Sequence, residues 1–277
     1  MEVKRRAVLG GLAAWPVLPA ASAAAAAPAR DPRTSALGLV RLQGSLEPQV
    51  VTPWWYEVAI YAVLPAKPPQ LVLRAEGCET YVIRPEQDGR FRSGGVTVTA
   101  FKDPVNETWL DQFDNPFTGQ RNIVRPNILT GAAFIYPGDG SVPLPDAALL
   151  KRSDTAPVAK GAAATTGWVK WLESGPLVGC MMERKSAGAY QPFMETTSMW
   201  TDTATFFNPA LPVRQVTFSS SFLVPWLGWM AMAGAPGHLL WHSTGHKLGG
   251  LDELPARYRA RAEALAPGVL ARNPFLA

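Results

Sequence analysis

Cysteine and histidine are scarce in this sequence. Its 277 residues include two cysteines, Cys78 and Cys180, and three histidines. No C-x-x-C pair and no cluster of cysteines with histidines occurs, which argues against a structural zinc site or a thioredoxin-type redox site. The two thiols are far apart in the sequence, and their spacing leaves open whether they form one disulfide.

Motifs of several common enzyme classes are also missing. There is no phosphate-binding loop, no glycine-rich dinucleotide fingerprint, no G-x-S-x-G nucleophile elbow and no H-E-x-x-H zinc motif. Their absence argues against nucleotide-dependent, serine-hydrolase and zincin chemistry, although sites assembled from distant residues stay open. The sequence therefore predicts no cofactor.

Charge of one sign does not dominate the chain. Lys and Arg number 26 against 22 Asp and Glu, for a formal net charge of +4. No long basic run follows the first 29 residues, so a nucleic-acid partner is not expected. Beyond that segment no apolar run is long enough to cross a bilayer, and the mature chain is predicted to have no stable membrane span.

Residues 1–29 have the features of an export signal. A basic start with Lys4, Arg5 and Arg6 precedes a short apolar run and then small residues suited to cleavage between positions 23 and 29. The Arg5–Arg6 pair resembles a twin-arginine signal, which predicts the twin-arginine export machinery as a partner and a periplasmic or secreted location. An uncleaved anchor is the alternative. Residues 30–277 are then expected to form a single domain.

Short apolar segments rich in β-branched and aromatic residues recur through most of this domain, separated by Pro, Gly and Asn. This pattern predicts an all-β fold, an antiparallel barrel or sandwich, with a lipocalin-like barrel favoured. A single helix is predicted near the carboxyl terminus, at about residues 253–266, because Pro255 suits a first helical position and Pro267–Gly268 ends it. The candidate strands are 39–43, 55–64, 70–74, 80–83, 96–101, 121–124, 132–136, 168–172, 177–182, 200–206 and 213–222.

The three histidines, His238, His242 and His246, are spaced four residues apart. This spacing places them on one face of either a helix or a strand, and the surrounding glycines favour a strand. A strand separates positions i and i+4 by roughly 13 Å, so one metal ion cannot be bound by all three, and no metal site is predicted. Two interpretations remain, hydrogen-bonded histidines at the rim of a strand or a single acid–base histidine.

Residues 53–63 predict a strand with two different faces. Its even positions are wholly apolar, whereas its odd positions include Trp55, Glu57 and Tyr61. An aromatic face with one carboxylate is typical of a barrel wall that lines a ligand cavity. The alternative is an outward-facing Glu57 beside exposed aromatic edges.

Residues 190–200 supply a second candidate site. Tyr190 and Glu195 are five positions apart, so their side chains would point to opposite faces of a straight strand. Pro192 permits a bend that could bring them together. A carboxylic acid in an aromatic cavity has a raised pKa and can transfer protons. The alternative is an edge-strand glutamate bonded to the backbone.

Three stretches together carry a family resemblance: WWYE with the following IY at 54–61, the stretch 110–119 that ends in NPFTG, and an ordered series from PW at 225 to ELP at 253. In order and spacing they resemble the bacterial and fungal family known as domain of unknown function 1838, over residues 37–274. The positions that match the family pattern are His242, Gly245, Lys247, Tyr190 and Glu195. The resemblance implies a twin-arginine-type leader and favours His242 over the other two histidines, but it implies no particular reaction.

These observations lead to one hypothesis about function and two alternatives. The hypothesis is a cofactor-independent lyase or isomerase that acts on a small apolar or aromatic molecule by proton transfer. His242 would be the acid or base, Glu195 or Glu57 its carboxylate partner, and Tyr190 the donor to an oxyanion. The predicted substrate contacts are Trp55, Tyr61, Trp226, Trp229 and Lys247. The alternatives are a non-catalytic carrier of a hydrophobic small molecule and a structural envelope protein without a pocket.

Overall fold

The computed structural model describes residues 31–47, 49–145, 151–152, 165–186, 193–232, 234–273 and 276. The predicted export signal and Tyr190 lie outside the described residues. Within the described ranges, no helix combines the length and the apolar character that a bilayer crossing requires.

The described part of the chain contains thirteen strands and three α-helices. The strands are β1 (Thr52–Val63), β2 (Gln70–Pro85), β3 (Phe91–Lys102), β4 (Gln112–Asp114), β5 (Arg121–Ile123), β6 (Asn127–Tyr136), β7 (Leu144–Pro145), β8 (Lys151–Arg152), β9 (Thr165–Ser174), β10 (Leu177–Ser186), β11 (Phe193–Asp202), β12 (Thr217–Val224) and β13 (His238–Lys247). The helices are α1 (Ala36–Gln43), α2 (Thr203–Phe207) and α3 (Ala256–Leu265).

Eleven of the strands form one antiparallel sheet in the order β7-β6-β3-β2-β1-β13-β12-β11-β10-β9, with β8 paired to β6. The sheet is strongly curled, as a contact between side chains of β10 and β6 shows. The guanidinium carbon of Arg184 lies 4.7 Å from the ring centre of Phe134. Register shifts after Ile60 and Gly95 mark irregularities of the kind that bend and twist strands. The predicted all-β antiparallel fold with a carboxyl-terminal helix is confirmed, as a curled half-barrel.

The two faces of β1 illustrate why the sheet curls as it does. Trp54, Val58 and Ile60 are buried on the concave face, as the apolar even positions predicted. Trp55 and Glu57 point to the convex face. Because side chains alternate along a strand, the apolar positions of neighbouring strands gather inside the curl.

Three apolar clusters are distinct in this fold. The first lies on the concave face beneath α1 and α2 and includes Leu39 and Tyr136. The second occupies the other end of the concave face and is rich in aromatic rings, among them Phe101 and Trp241. The third lies on the convex face under α3, where the Tyr258 hydroxyl donates a 2.6 Å hydrogen bond to the Val98 carbonyl.

The predicted strand at residues 39–43 is wrong, since these residues belong to helix α1. Ser35 caps the helix, accepting a hydrogen bond from the Leu37 amide. Arg41 donates to backbone carbonyls that follow α2, including those of Asn208 and Leu211. A short apolar run does not distinguish a strand from a buried helix, and here tertiary contacts on all sides stabilise the helix.

Cys78 and Cys180 are both buried and free. Cys78 belongs to the convex cluster under α3, whereas Cys180 belongs to the concave cluster beneath α1. Because the two thiols lie on opposite faces of the sheet, the structure contains no disulfide between them.

Candidate site on the concave face of the curled sheet

A group of polar side chains lies on the concave face. We call it the polar layer and define it as Glu79, Tyr81, Thr97, Arg184 and Glu195. It combines residues of β2, β3, β10 and β11, which come from two distant parts of the sequence and meet because the sheet is curled.

Arg184 and Glu195 are directly opposite each other on β10 and β11. The Nη2 group of Arg184 donates to Glu195 Oε2, and the Thr197 hydroxyl donates to Glu195 Oε1 at 2.9 Å. The two charged side chains are 16% and 17% exposed, so solvent still reaches them. Burial lowers the pKa of Arg184, but the adjacent carboxylate of Glu195 outweighs burial and the pKa is raised.

Glu79 is opposite Thr97 in the β2–β3 ladder and opposite Trp54 in the β1–β2 ladder. Burial raises the pKa of the Glu79 carboxyl to about 7. The nearby hydroxyls of Tyr81 and Thr97 and the charge of Arg184 partly oppose this rise, while the negative charge of Glu195 adds to it. A carboxyl group with this pKa exchanges its proton near neutral pH.

Three hydroxyl groups beside Glu79 and Arg184, those of Ser93, Thr97 and Tyr136, form no well-aligned hydrogen bond with a described residue. Thr97 is nevertheless close enough to Glu79, and Ser93 to Tyr136, to lower the pKa of that neighbour. The residues that carry the three hydroxyls are at most 4% exposed. A buried polar group without a partner costs about 1–3 kcal/mol. The polar layer is therefore not a fully satisfied internal network, and such gaps are typical of functional sites.

Two glycines shape the adjoining concave surface. Gly77 and Gly245 are the residues directly opposite Tyr56 on the two neighbouring strands. A Cβ atom on Gly77 would lie 2.3 Å from the Tyr56 ring, and one on Gly245 would lie 2.7 Å from the Phe218 ring. The glycines thus allow both rings to lie close to the sheet.

The predicted substrate contacts Trp226 and Trp229 lie in the aromatic cluster at one end of the concave face. Trp229 packs against Phe101 and Phe113 with ring centres 5.5 and 5.6 Å apart, and Trp226 packs against Phe117 at 5.7 Å. Both indoles therefore form part of the apolar wall on the same side of the sheet as the polar layer.

His242 lies on the convex face, together with His238 and His246. The predicted strand and the alignment of the three rings on one face are as observed, but His242 is exposed and its Nδ1 atom is 3.0 Å from Ser221 Oγ. Glu195 lies on the opposite face, so the structure does not bring His242 and Glu195 together. Within the described residues no three His, Cys, Asp or Glu side chains converge as a metal site would require.

The other candidates on β1 also lie on the convex face. Glu57 is exposed and is opposite Thr244, beside but not opposite His242. Trp55 packs into the cluster under α3, with its ring 5.6 Å from that of His246. Tyr61 shares this face. The alternative of an outward Glu57 agrees with this placement, because the aromatic face of β1 does not line the concave side.

Lys247 is buried at the carboxyl end of α1 rather than facing open space. Its ammonium group donates to the carbonyl oxygens of Gly44 and Val213, both at 2.6 Å, and also to those of Arg41 and Leu42. Burial lowers the pKa of Lys247 to about 7. The last carbonyls of a helix need such donors, so Lys247 fastens α1 to β13 and has no donor left for a substrate.

A surface cavity of about 350 Å³ lies between β9 and residues 139–142. Arg33, Trp168 and Trp171 contribute to its lining. None of the predicted site residues and none of the polar layer line it, so it is a separate feature.

Residues 181–270 match a family model. The family is described as "Protein of unknown function (DUF1838)". The matched segment covers about a third of the chain and contains Arg184, Glu195 and the whole of β13. The match supports the resemblance to the DUF1838 family and carries no activity with it.

Two further comparisons add no function. No curated protein matches this chain. One structural match is the Aeromonas veronii immune modulator A, with 10% identity over 76% of this chain and 99% of that chain and a TM-score of 0.14. A likeness of this size supports no conclusion about fold or function.

Glu79, Tyr81 and Arg184 were not predicted as site residues. Arg184 lies within the DUF1838 match, whereas Glu79 and Tyr81 precede it. One sequence signal could have found Glu79: it is spaced by two and four residues from Tyr81 and Ile83. On a strand this spacing places its carboxylate on the same face as these large apolar side chains. Among the predicted catalytic residues that the structure describes, Glu195 is the one that it brings into the polar layer.

Proposed function

We propose that this protein binds a small molecule at the polar layer and transfers a proton to or from it, as an isomerase or lyase without a cofactor. The observation that supports this most is the convergence of Glu79, Arg184 and Glu195 on the concave face, where solvent reaches the ion pair. Convergent polar groups beside apolar walls are typical of small-molecule sites.

Glu79 is the proton-transferring group in this proposal. Its carboxylate removes a proton from one carbon of the substrate. As the carboxyl form, it returns that proton to another carbon in the isomerase case, or to the leaving group as a double bond forms in the lyase case, so atoms and electrons balance without an oxidant. The pKa of about 7 keeps both forms populated near neutral pH. The guanidinium of Arg184 stabilises the negative charge that develops on the substrate, and Glu195 holds Arg184 in position.

The test uses exchange with heavy water. Protein dialysed against a small-molecule extract of its host cells is transferred to D₂O, and retained compounds are analysed by mass spectrometry. The wild type is expected to retain a compound and introduce deuterium into it, whereas Glu79→Gln is expected to retain it without exchange. His242→Gln is the matched control, because His242 is exposed on the other face.

The remaining outcomes separate the alternatives. Exchange lost in His242→Gln but kept in Glu79→Gln would return the acid–base role to His242. Retention without exchange in the wild type would favour the carrier, for which the apolar clusters on the concave face already provide a surface. An empty wild-type protein would argue against the proposed site.

We also propose that the protein acts outside the cytoplasm, on the basis of the Arg5–Arg6 segment. Mass determination of the protein recovered from the periplasm or medium is expected to show a chain that begins between residues 24 and 30. Protein found only in the cytoplasm at full length would contradict this.

A further inference from the structure

The guanidinium of Arg184 has N–H donors that are not used in hydrogen bonds to described residues. Its Nη2 group bonds Glu195, and this is the one hydrogen bond that it makes with a described residue. The group is fixed, since it is paired to Glu195 at one edge and lies over the Phe134 ring. An arginine presents five N–H donors in a planar fork, so its remaining N–H groups are held in a set direction without an acceptor in the part of the chain that the structure describes.

Hydroxyl groups near Arg184 add further polar atoms with poorly satisfied hydrogen bonding. Those of Ser93, Thr97 and Tyr136 are buried and form no well-aligned hydrogen bond with a described residue, although Thr97 lies close enough to Glu79, and Ser93 to Tyr136, to lower the pKa of that neighbour. The polar layer also offers two carboxylates, and that of Glu195 is already bonded to Arg184 and Thr197. The hydroxyls can accept as well as donate and the carboxylates can accept, whereas the guanidinium of Arg184 can only donate. A ligand that supplies oxygen acceptors would bond the N–H groups of Arg184 that have no partner among the described residues.

The surroundings also indicate the shape of that ligand. Phe134 lies directly beneath the guanidinium, and the rings of Tyr81 and Tyr136 belong to the same apolar cluster. Flat apolar groups pack well on such rings. A planar guanidinium binds a carboxylate through two parallel hydrogen bonds, which a single carbonyl oxygen cannot form.

We propose that the ligand of the polar layer is a small organic acid, whose carboxylate binds the remaining donors of Arg184 and whose flat apolar part packs against the neighbouring rings. This inference rests on the proposed function and names its substrate class. It implies that the ligand binds as an anion beside Glu79.

The charge of Glu79 then matters for binding. Two carboxylates close together repel each other, so the anion binds best when Glu79 is protonated. The charged or titratable groups that act on Glu79 come from five strands; they are Tyr56, Cys78, Tyr81, Tyr136, Arg184 and Glu195. Arg184 is the one cation among them, and Glu195 shares it. The hydroxyls of Tyr81 and Thr97 also favour the Glu79 carboxylate, but burial outweighs these effects and the pKa stays raised.

Benzoate and benzamide are the test pair, because they share a ring and a planar head group and differ in charge. Affinities are measured by titration calorimetry at pH 6 and pH 8. The variants are Arg184→Gln/Glu195→Gln, which removes both charges so that neither remains unpaired, and Glu79→Gln. Lys185→Gln is the control, since Lys185 is adjacent in sequence but exposed.

At pH 6 the wild type is expected to bind benzoate about tenfold more tightly than benzamide, as one charge-assisted contact can provide. Between pH 6 and pH 8 benzoate affinity should fall about tenfold as Glu79 loses its proton. The double variant should lose the preference, Glu79→Gln should lose the pH dependence, and Lys185→Gln should keep both.

Equal or tighter binding of benzamide by the wild type would overturn the organic-acid inference and leave the proposed site intact. A benzoate preference that survives in the double variant would also overturn it. If neither compound binds to folded wild-type protein, the organic-acid inference fails, whereas the proposed function fails only if the wild type also retains no compound from the extract. Should the double variant not fold, the pH dependence in Glu79→Gln decides, and an unchanged dependence there would contradict the inference.

Discussion

Arg184 on β10 lies over the ring of Phe134 on β6, 4.7 Å from its centre, although β6 and β10 lie far apart in the sheet order. This contact joins the two arms of the curled sheet. It also sets the position of the charge in the polar layer, so the fold and the candidate site share one residue.

Removing Arg184 alone should therefore destabilise the protein more than removing the pair. Arg184→Gln leaves Glu195 largely buried without its partner, and such a change costs about 3–5 kcal/mol. In Arg184→Gln/Glu195→Gln no charge is left unpaired, so the loss should be about 2 kcal/mol smaller. Urea denaturation of both variants gives the comparison. Equal losses would show that the ion pair is not what stabilises this region.

Glu79 should make the free energy of unfolding decrease as the pH rises. Its pKa is raised from 4.5 to about 7 in the folded protein, so its contribution is fully present below about pH 4.5 and is lost as pH rises towards 7. A rise of this size corresponds to about 3 kcal/mol. Glu79→Gln should flatten the free energy of unfolding between pH 5 and 7.5. A slope unchanged by this substitution would assign the titration to another group.

Lys247→Met should loosen α1. The substitution leaves the carbonyls of Arg41, Leu42, Gly44 and Val213 without their shared donor, at a cost of about 3 kcal/mol. Hydrogen exchange is the measurement, with faster exchange expected in residues 36–43. His246→Gln, at an exposed adjacent position, is expected to change nothing. Protection of α1 that persists in Lys247→Met would argue against its role as a fastener.

Gly77 and Gly245 should respond differently to alanine. The new Cβ on Gly77 meets the Tyr56 side chain, whereas that on Gly245 also lies 2.2 Å from the Trp55 carbonyl oxygen. Both variants should lose about 1–3 kcal/mol through overpacking. Tyr56→Leu should restore much of the loss in Gly77→Ala and little of that in Gly245→Ala. Thermal denaturation of Gly77→Ala and Gly245→Ala, each with and without Tyr56→Leu, tests this prediction. An equal recovery of stability in both would contradict it.

Local patterns predicted the parts of the fold that depend on local chemistry. The alternation along β1 and the parity of His238, His242 and His246 were sufficient, because side chains on a strand alternate between faces. Helix α1 was missed because its apolar run is buried on all sides and carries no helical stripe. The sequence could not show which face of β13 would become concave, and this decided the position of His242.

The polar layer was only partly predictable for a related reason. Glu195 was singled out from its neighbours in sequence, but Glu79 and Arg184 are more than a hundred positions apart. Their approach depends on the order of the strands and on the curl of the sheet. Neither property is encoded in a short window of residues.

The attachment of α1 has a consequence for how this protein is made. Lys247 binds the carbonyl of Arg41 across 206 positions of the chain. While the chain leaves the ribosome, the carbonyls of Arg41 and Leu42 in α1 have no Lys247 ammonium to bond until β13 has been synthesised. Helix α1 is therefore fully secured only late in synthesis. On a ribosome stalled before residue 247, its last turn would be held by earlier contacts such as that of the Trp54 indole with the Gln43 carbonyl, and the helix would be more open to proteases.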